Sequence, residues 1–293
     1  MIRLGTRGSA LALAQARLVA DALPGEVELV PISTSGDQGR GEGMDKSRFV
    51  KEIEEALLAG EIDLAVHSAK DVPAELPSGL SIVGVPERAD PRDALCGATS
   101  LAELPDGAPV GTSSLRRRAQ LLALRAELDV CELRGNVDTR LRRLAQGDFA
   151  AVVLAQAGLD RLGRGAEGTR LVELVPAPGQ GCLALEARTD DPRARDAAGA
   201  LTDHGALACL TAERALVEAL GATCRTPIGA HAELEGGTLR LAAFAGMPDG
   251  SHWIRDVDEG PADDPVAVGR AVADRLMAAG AGGLLEAAER AAA

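Results

Sequence analysis

Along the first half of the chain, apolar residues keep switching between the period of a strand and that of a helix. Residues 2–6 read as a strand, and 9–23 place apolar side chains at helical spacing. Another strand is expected at 27–32, followed by a glycine-rich, mobile loop at 35–43. Helical spacing returns at 47–59, with Phe49, Val50, Ile53 and Leu57 on one face and Gly60 as a stop. Short apolar runs at 62–66 and 80–85 read as strands. Past the proline-bounded segment 86–91 the rhythm restarts, with a strand ending at Gly111 and a helix at 114–124. Then come strand 130–133, helix 136–146, strand 150–154 and helix 156–162. Residues 176–181 form a second hinge-like segment, and the strand at 182–187 is expected to return to the first sheet.

Such alternation implies mainly parallel sheets covered by helices on both faces. From about 203 the pattern changes. A long helix at 206–220 precedes a hairpin of 230–234 and 239–244, a third strand at 253–257 and an Ala-rich helical pattern over 265–292. The expected layout is α/β: domain 1 from 1–86 plus 182–199, domain 2 from 92–176, and a smaller α+β domain 3 from 203–293.

A length of 293 residues accommodates two or three such cores. With one Trp, three Phe and no Tyr, those cores must be built from Leu, Val, Ile and Ala. A net charge of −13 argues against a nucleic-acid or anionic-membrane surface. The apolar stretch 10–23 is too short and interrupted for a membrane span, and the chain opens as a strand rather than a leader. Five cysteines without CxxC spacing point to reduced thiols, no metal site and a cytoplasmic location.

Only three of the 31 basic residues are lysines, and one of them stands in His67-Ser68-Ala69-Lys70-Asp71-Val72-Pro73. This heptad ends an apolar strand, where α/β proteins place chemistry, and Pro73 blocks continuation into a helix. Asp71 has two readings: a carboxylate that stabilises a developing cation or moves protons, with Lys70 on a substrate carboxylate, or a local ion pair. His67 reads as a core histidine. Arginines crowd the stretch 116–143, eight of them against four acids. They either grip carboxylates, at about 1.5–3 kcal/mol per charge-assisted bond, or coat solvated helix faces. The second reading is preferred for Arg118, Arg125, Arg142 and Arg143, whereas Arg134 stands at a strand end over a helix N-terminus. Gly5-Thr6-Arg7-Gly8-Ser9 and Gly111-Thr112-Ser113-Ser114-Leu115 echo one another at strand-to-helix turns, each suited to an anion or simply to capping. Cys224, in a loop beside Arg225, is a candidate reactive thiol; Cys131, Cys182 and Cys209 read as core residues and Cys96 is ambiguous.

Taken together, several ordered segments resemble the porphobilinogen deaminase family over essentially the full chain. They include Thr6-Arg7-Gly8-Ser9-Ala10-Leu11-Ala12, Phe49-Val50-Lys51-Glu52, the heptad at 67–73, and Glu87-Arg88-Ala89-Asp90-Pro91-Arg92-Asp93-Ala94. Further along are Gly111-Thr112-Ser113-Ser114-Leu115-Arg116-Arg117, Arg134-Gly135-Asn136-Val137-Asp138-Thr139-Arg140-Leu141, Ala157-Gly158-Leu159-Asp160-Arg161-Leu162, Pro178-Gly179-Gln180-Gly181 and Cys224-Arg225-Thr226-Pro227-Ile228-Gly229. The resemblance implies two periplasmic-binding-like domains around a cleft, and a transferase that joins four porphobilinogens head to tail into hydroxymethylbilane. It implies a dipyrromethane primer bound through a thioether to Cys224, and Asp71 as the catalytic carboxylate. Arg7, Arg116, Arg117, Arg134, Arg140 and Arg161, with Ser9, Lys70, Thr112, Ser113 and Ser114, align with residues around primer and substrate. Lys46 and Phe49 align with a mobile loop. The family is expected to be monomeric, with porphobilinogen as its small-molecule substrate and no nucleic-acid or membrane partner. Two departures stand out: Asp45-Lys46-Ser47-Arg48 where Gly-Lys-Gly-Leu is common, and Ala222-Thr223 before the cysteine where a glycine pair is common. From the cleft alone, the alternative is a two-domain binding protein for small anions, without catalysis.

Overall fold

A computed structural model describes residues 1–35, 49–223 and 226–291. The loop at 35–43 therefore lies outside the described residues beyond Ser35, as do Lys46 and Cys224. In chain order the elements begin β1 (Ile2–Arg7), α1 (Ala10–Ala22), β2 (Val27–Ile32), α2 (Lys51–Leu58), β3 (Leu64–Ser68) and β4 (Leu80–Gly84). They continue with β5 (Asp93–Cys96), β6 (Pro109–Gly111), α3 (Leu115–Leu124), β7 (Asp129–Cys131), α4 (Val137–Ala145), β8 (Ala151–Ala155), α5 (Gln156–Arg161) and β9 (Thr169–Leu171). The last part comprises β10 (Leu183–Arg188), α6 (Pro192–Gly199), α7 (His204–Ala219), β11 (Ile228–Glu235), β12 (Thr238–Gly246), β13 (Trp253–Pro261), α8 (Pro265–Ala278) and α9 (Ala281–Ala291). The chain divides into two compact units, 1–89 with 181–207 and 90–180 with 208–293.

In the first unit the strand order is β2-β1-β3-β10-β4. Both β2 and β3 run parallel to β1, whereas β10 pairs antiparallel with β3 and with β4. The returning strand thus fills the sheet's interior, as its apolar run at 182–187 anticipates. Ser9 caps α1 by accepting from the Ala12 amide, and Ala12, Gln15, Ala16 and Val19 form its buried stripe. Ala16 and Val19 pack with Leu4, Leu64, Val66, Leu185 and Ala197 on one face of the sheet. On the other face Ala65 packs with Ile53, Ala56 and Leu57 of α2.

The second unit repeats the plan. Its larger sheet runs β7-β6-β8-β5-β9, with β7 and β8 parallel to β6 and with β5 antiparallel to β8 and β9. In both sheets four strands share one direction and a single interior strand opposes them. That strand comes last in the first sheet and first in the second, so the two are circular permutations of one plan. Residues 93–96 and 169–171 lie outside the strands expected from patterning; four- and three-residue segments carry too little alternation to show. The unit also holds an antiparallel sheet, β11-β12-β13. One face closes over Leu216, Val272, Leu276 and Leu285 of the final helices.

The terminal helical pattern is two helices rather than one. Gly280 adopts φ +99°, a left-handed conformation open to glycine, and the chain turns there between α8 and α9. Among the described residues, no helix is long and apolar enough to cross a membrane.

Candidate active site

The candidate residues fall into one group per unit. In the first, Arg7 closes β1 and sets its guanidinium 4.3 Å from the centre of the Phe49 ring. That cation–π contact uses one of the chain's three phenylalanines. Lys70 and Asp71 share a single 3-10 turn, Ala69–Asp71, directly after β3 and closed by the Val72 amide on the Ala69 carbonyl at 3.2 Å. β3 is paired on both edges, and Ser68 at its end exchanges hydrogen bonds with Gln15 of α1, the shorter at 2.9 Å. The turn therefore starts from a fixed point, with both Lys70 and Asp71 half-buried.

His67 is buried in the scaffold, as expected. Its Nε2 lies 3.0 Å from Glu186 Oε2, an ion-pair distance without hydrogen-bond alignment. Burial, then the neighbouring Glu186, pushes the Glu54 carboxyl above its usual range.

In the second unit, two strand-to-helix turns carry the group. Ser114 caps α3, and Thr112 Oγ1 accepts from the Ser114 amide at 3.2 Å. Asn136 caps α4 after Gly135, whose φ of +113° brings the chain across the helix N-terminus. Ser113 Oγ accepts from Arg140 Nη2 at 3.0 Å, and Arg140 Nε donates to the Gly135 carbonyl at 2.8 Å. Both partners are uncharged. Burial, and then repulsion from Arg117, pull the Arg140 guanidinium down to about 10. Among the described residues no carboxylate forms an ion pair with it. Such a cation suits an anionic partner.

Arg116 and Arg117 are used differently. Both are buried, and both converge on Asp93, which is fully buried. Arg116 Nη1 reaches Asp93 Oδ2 at 2.7 Å, and Arg117 Nη2 reaches Oδ1 at 2.8 Å. Gln180 Nε2 adds a bond to the same carboxylate at 2.9 Å. Burial alone would raise the Asp93 pKa; the two guanidiniums override it and hold the carboxyl well below the usual range. The further bonds run to backbone carbonyls, from Arg116 to Val175 and from Arg117 to Val153. The cluster keeps a net positive charge that Arg140 increases.

Asp93 was missed as a site residue when the chain was read alone. Its signal was an acid opening the apolar run Asp93-Ala94-Leu95-Cys96, which a buried strand tolerates only with partners. Arg118 and Arg125 are not simply solvated: Arg118 donates to the Val130 carbonyl, and Arg125 to the Leu101 carbonyl and Asp106. A guanidinium's fixed fork suits such loop fastening. Arg134 is exposed and pairs with Glu132 at 2.6 Å, and Arg161 ends α5. Of the other cysteines, Cys96, Cys182 and Cys209 are buried and Cys131 is half-buried. Burial pushes the Cys96 thiol up to about 11, which suppresses its thiolate.

Two family models match the chain. "Porphobilinogen deaminase, dipyromethane cofactor binding domain" covers residues 2–196, and "Porphobilinogen deaminase, C-terminal domain" covers 207–278. The porphobilinogen deaminase of Roseiflexus sp. strain RS-1 is 48% identical over 296 residues, 96% of this chain and 97% of its own. That of Deinococcus radiodurans is 46% identical over 303 residues, 98% of each chain. The Thermus thermophilus protein of the same name is 48% identical over 291 residues, 96% of each.

Proposed function

This chain belongs to the porphobilinogen deaminase family, and on that premise we propose how its residues divide the work of the enzyme. The reaction is the deamination and head-to-tail joining of four porphobilinogens into hydroxymethylbilane, a step of tetrapyrrole biosynthesis primed by a dipyrromethane. When bound, the primer would supply the free pyrrole end from which the chain of four units grows. A match that runs through the C-terminal domain at 207–278 sets aside a non-catalytic anion-binding protein.

Asp71 is the catalytic carboxylate. Held at a rigid strand end, its negative charge stabilises the cation that forms on the substrate as ammonia leaves. Lys70, on the same turn, takes a substrate carboxylate and keeps that anion from competing with Asp71. Arg7, Ser9, Thr112, Ser113, Ser114, Arg134, Arg140 and Arg161 serve the acetate and propionate groups of primer and substrate. Arg116 and Arg117 contribute field more than contact, because Asp93 already holds them. Phe49 stacks on Arg7 and Lys46 belongs to the neighbouring loop. Cys224 carries the primer. The finer expectations of a monomer in the cytoplasm belong to the same reading.

Arg140 carries this reading, being a half-buried cation whose hydrogen bonds go to uncharged acceptors. A polycarboxylate primer fits that environment, since each carboxylate supplies an anion that the described residues do not. Arg140→Leu is expected to keep or raise the unfolding midpoint, because it deletes a charge that burial disfavours. At the same time KM for porphobilinogen should rise by roughly 10- to 100-fold, the equivalent of one charge-assisted bond. An unchanged KM would return Arg140 to the scaffold.

The direct test of the whole assignment is intact mass. Purified protein is expected to exceed its sequence mass by two pyrrole units and to colour with Ehrlich's reagent, and Cys224→Ser to do neither. An active protein of unmodified mass would sink the primer assignment.

A further inference from the structure

On the reading of Asp71 as the catalytic carboxylate, we propose that Glu186, on the returning strand β10, is a positioning residue for Asp71 that acts through His67. Alternation along β3 sorts its side chains between the two faces of the sheet. Val66 packs in the core with Ala16 and Val19 of α1, whereas Ala65 packs with Ile53 and Leu57 of α2. His67 therefore projects to the α2 side, and Ser68 to the α1 side, where Gln15 meets it. Strand β10 alternates in step. Leu183 and Leu185 lie in the α1 core, and Glu186 faces the α2 side beside Ala65, its register partner.

The last two residues of β3 are thus gripped from opposite faces. Ser68 exchanges hydrogen bonds with Gln15, while His67 Nε2 lies 3.0 Å from Glu186 Oε2, both of these side chains almost fully buried. The main chain is held as well, since the Ala69 amide donates to the Cys182 carbonyl at 3.1 Å, just before β10 begins. The Lys70-Asp71 turn leaves directly from this clamp.

Two lone pairs 3.0 Å apart would repel, so one of the facing groups holds a proton between them. Glu54 of α2 is the other acid near the pair, and burial and Glu186 favour its neutral form. That leaves Glu186 as the anion facing the ring, with the proton on Nε2. A buried pair of this kind adds little stability over apolar residues of similar volume. What it adds is orientation: an imidazole that faces one carboxylate keeps one ring direction, and the strand end that bears it keeps one position.

Full-length, primer-loaded enzyme turning over porphobilinogen tests this, with loading verified by intact mass. Glu186→Met is expected to lower kcat at least about tenfold with KM little changed, the scale of cost for a misplaced reacting group. Glu186→Gln should recover kcat to within about threefold of wild type, since its amide oxygen still accepts from Nε2. His67→Leu should match Glu186→Met. Each of these apolar variants strands a buried polar partner and lowers the unfolding midpoint. The double variant His67→Leu, Glu186→Met removes both partners, so its midpoint should return toward wild type. Its kcat should stay at the level of Glu186→Met alone, because residues that act as one unit do not add. A double variant that regains wild-type kcat along with its midpoint makes the pair merely structural and overturns the proposal. So does wild-type kcat in Glu186→Met, or a loss there that His67→Leu does not share. A near-normal kcat in Asp71→Asn removes the catalytic assignment instead, and this inference with it.

Discussion

Asp71→Asn is expected to lower kcat by about 10²–10³ while leaving the fold in place, the usual cost of removing one preorganised electrostatic contact. Asparagine keeps the size of the side chain and an oxygen that accepts hydrogen bonds. What it loses is the negative charge, and that charge is what a developing cation needs. The Ala69–Asp71 turn gives no reason for misfolding, because Asp71 is half-buried and the turn is closed by backbone atoms. Far-ultraviolet circular dichroism and the unfolding midpoint should match wild type. Steady-state kinetics decide the matter, since a near-normal kcat would reduce Asp71 to a structural residue of the turn. Lys70→Met should instead act mainly on KM, because the partner proposed for Lys70 is a substrate carboxylate away from the bond being broken.

The second large effect concerns stability. Asp93→Asn leaves two buried guanidiniums, Arg116 and Arg117, without their counter-anion. Breaking a buried charge cluster in this way typically costs about 3–5 kcal/mol. For a unit of the size that holds Asp93, that means a midpoint lower by roughly 6–20 °C. The pH dependence has a definite sign. The Asp93 pKa lies below its ordinary 3.8 in the folded protein, so its stabilisation is complete above that value. It is lost as pH falls from there through the lower, folded-state pKa. Thermal scans of wild type should show this extra acid loss, and Asp93→Asn should lack it. A variant as stable as wild type would mean that the arginines find other partners.

Legibility in the sequence follows distance along the chain. The helix caps at Ser9, Ser114 and Asn136 bond to amides three residues away, so local chemistry suffices to place them. The Lys70-Asp71 turn is readable because Pro73 and the preceding apolar run bound it. The return of residues 182–187 to the first sheet was visible from a buried-strand pattern. By contrast, Asp93 meets its arginines 23 and 24 residues away, and His67 meets Glu186 on the returning strand. Spacing carries no sign of such pairs. Nor does periodicity reveal β9, whose three residues are a strand only because β5 lies beside them. For the arginines, composition showed concentration without showing use. Arg116 pairs with Asp93 whereas Arg140 bonds uncharged acceptors, a difference that only the partners reveal.

The permuted sheets also set an order for synthesis. When a ribosome has released residues 1–89, β3 and β4 exist but β10, which separates them, is some ninety residues from being made. The nascent first unit therefore waits with two open strand edges in its middle, the kind of edge that pairs with the wrong chain. Meanwhile β5, the opposing strand of the second sheet, emerges before the strands it joins, so that sheet can assemble without a gap. The half of the protein that carries Asp71 is begun first and completed later, and its exposure to misassociation lasts for the whole translation of residues 90–180.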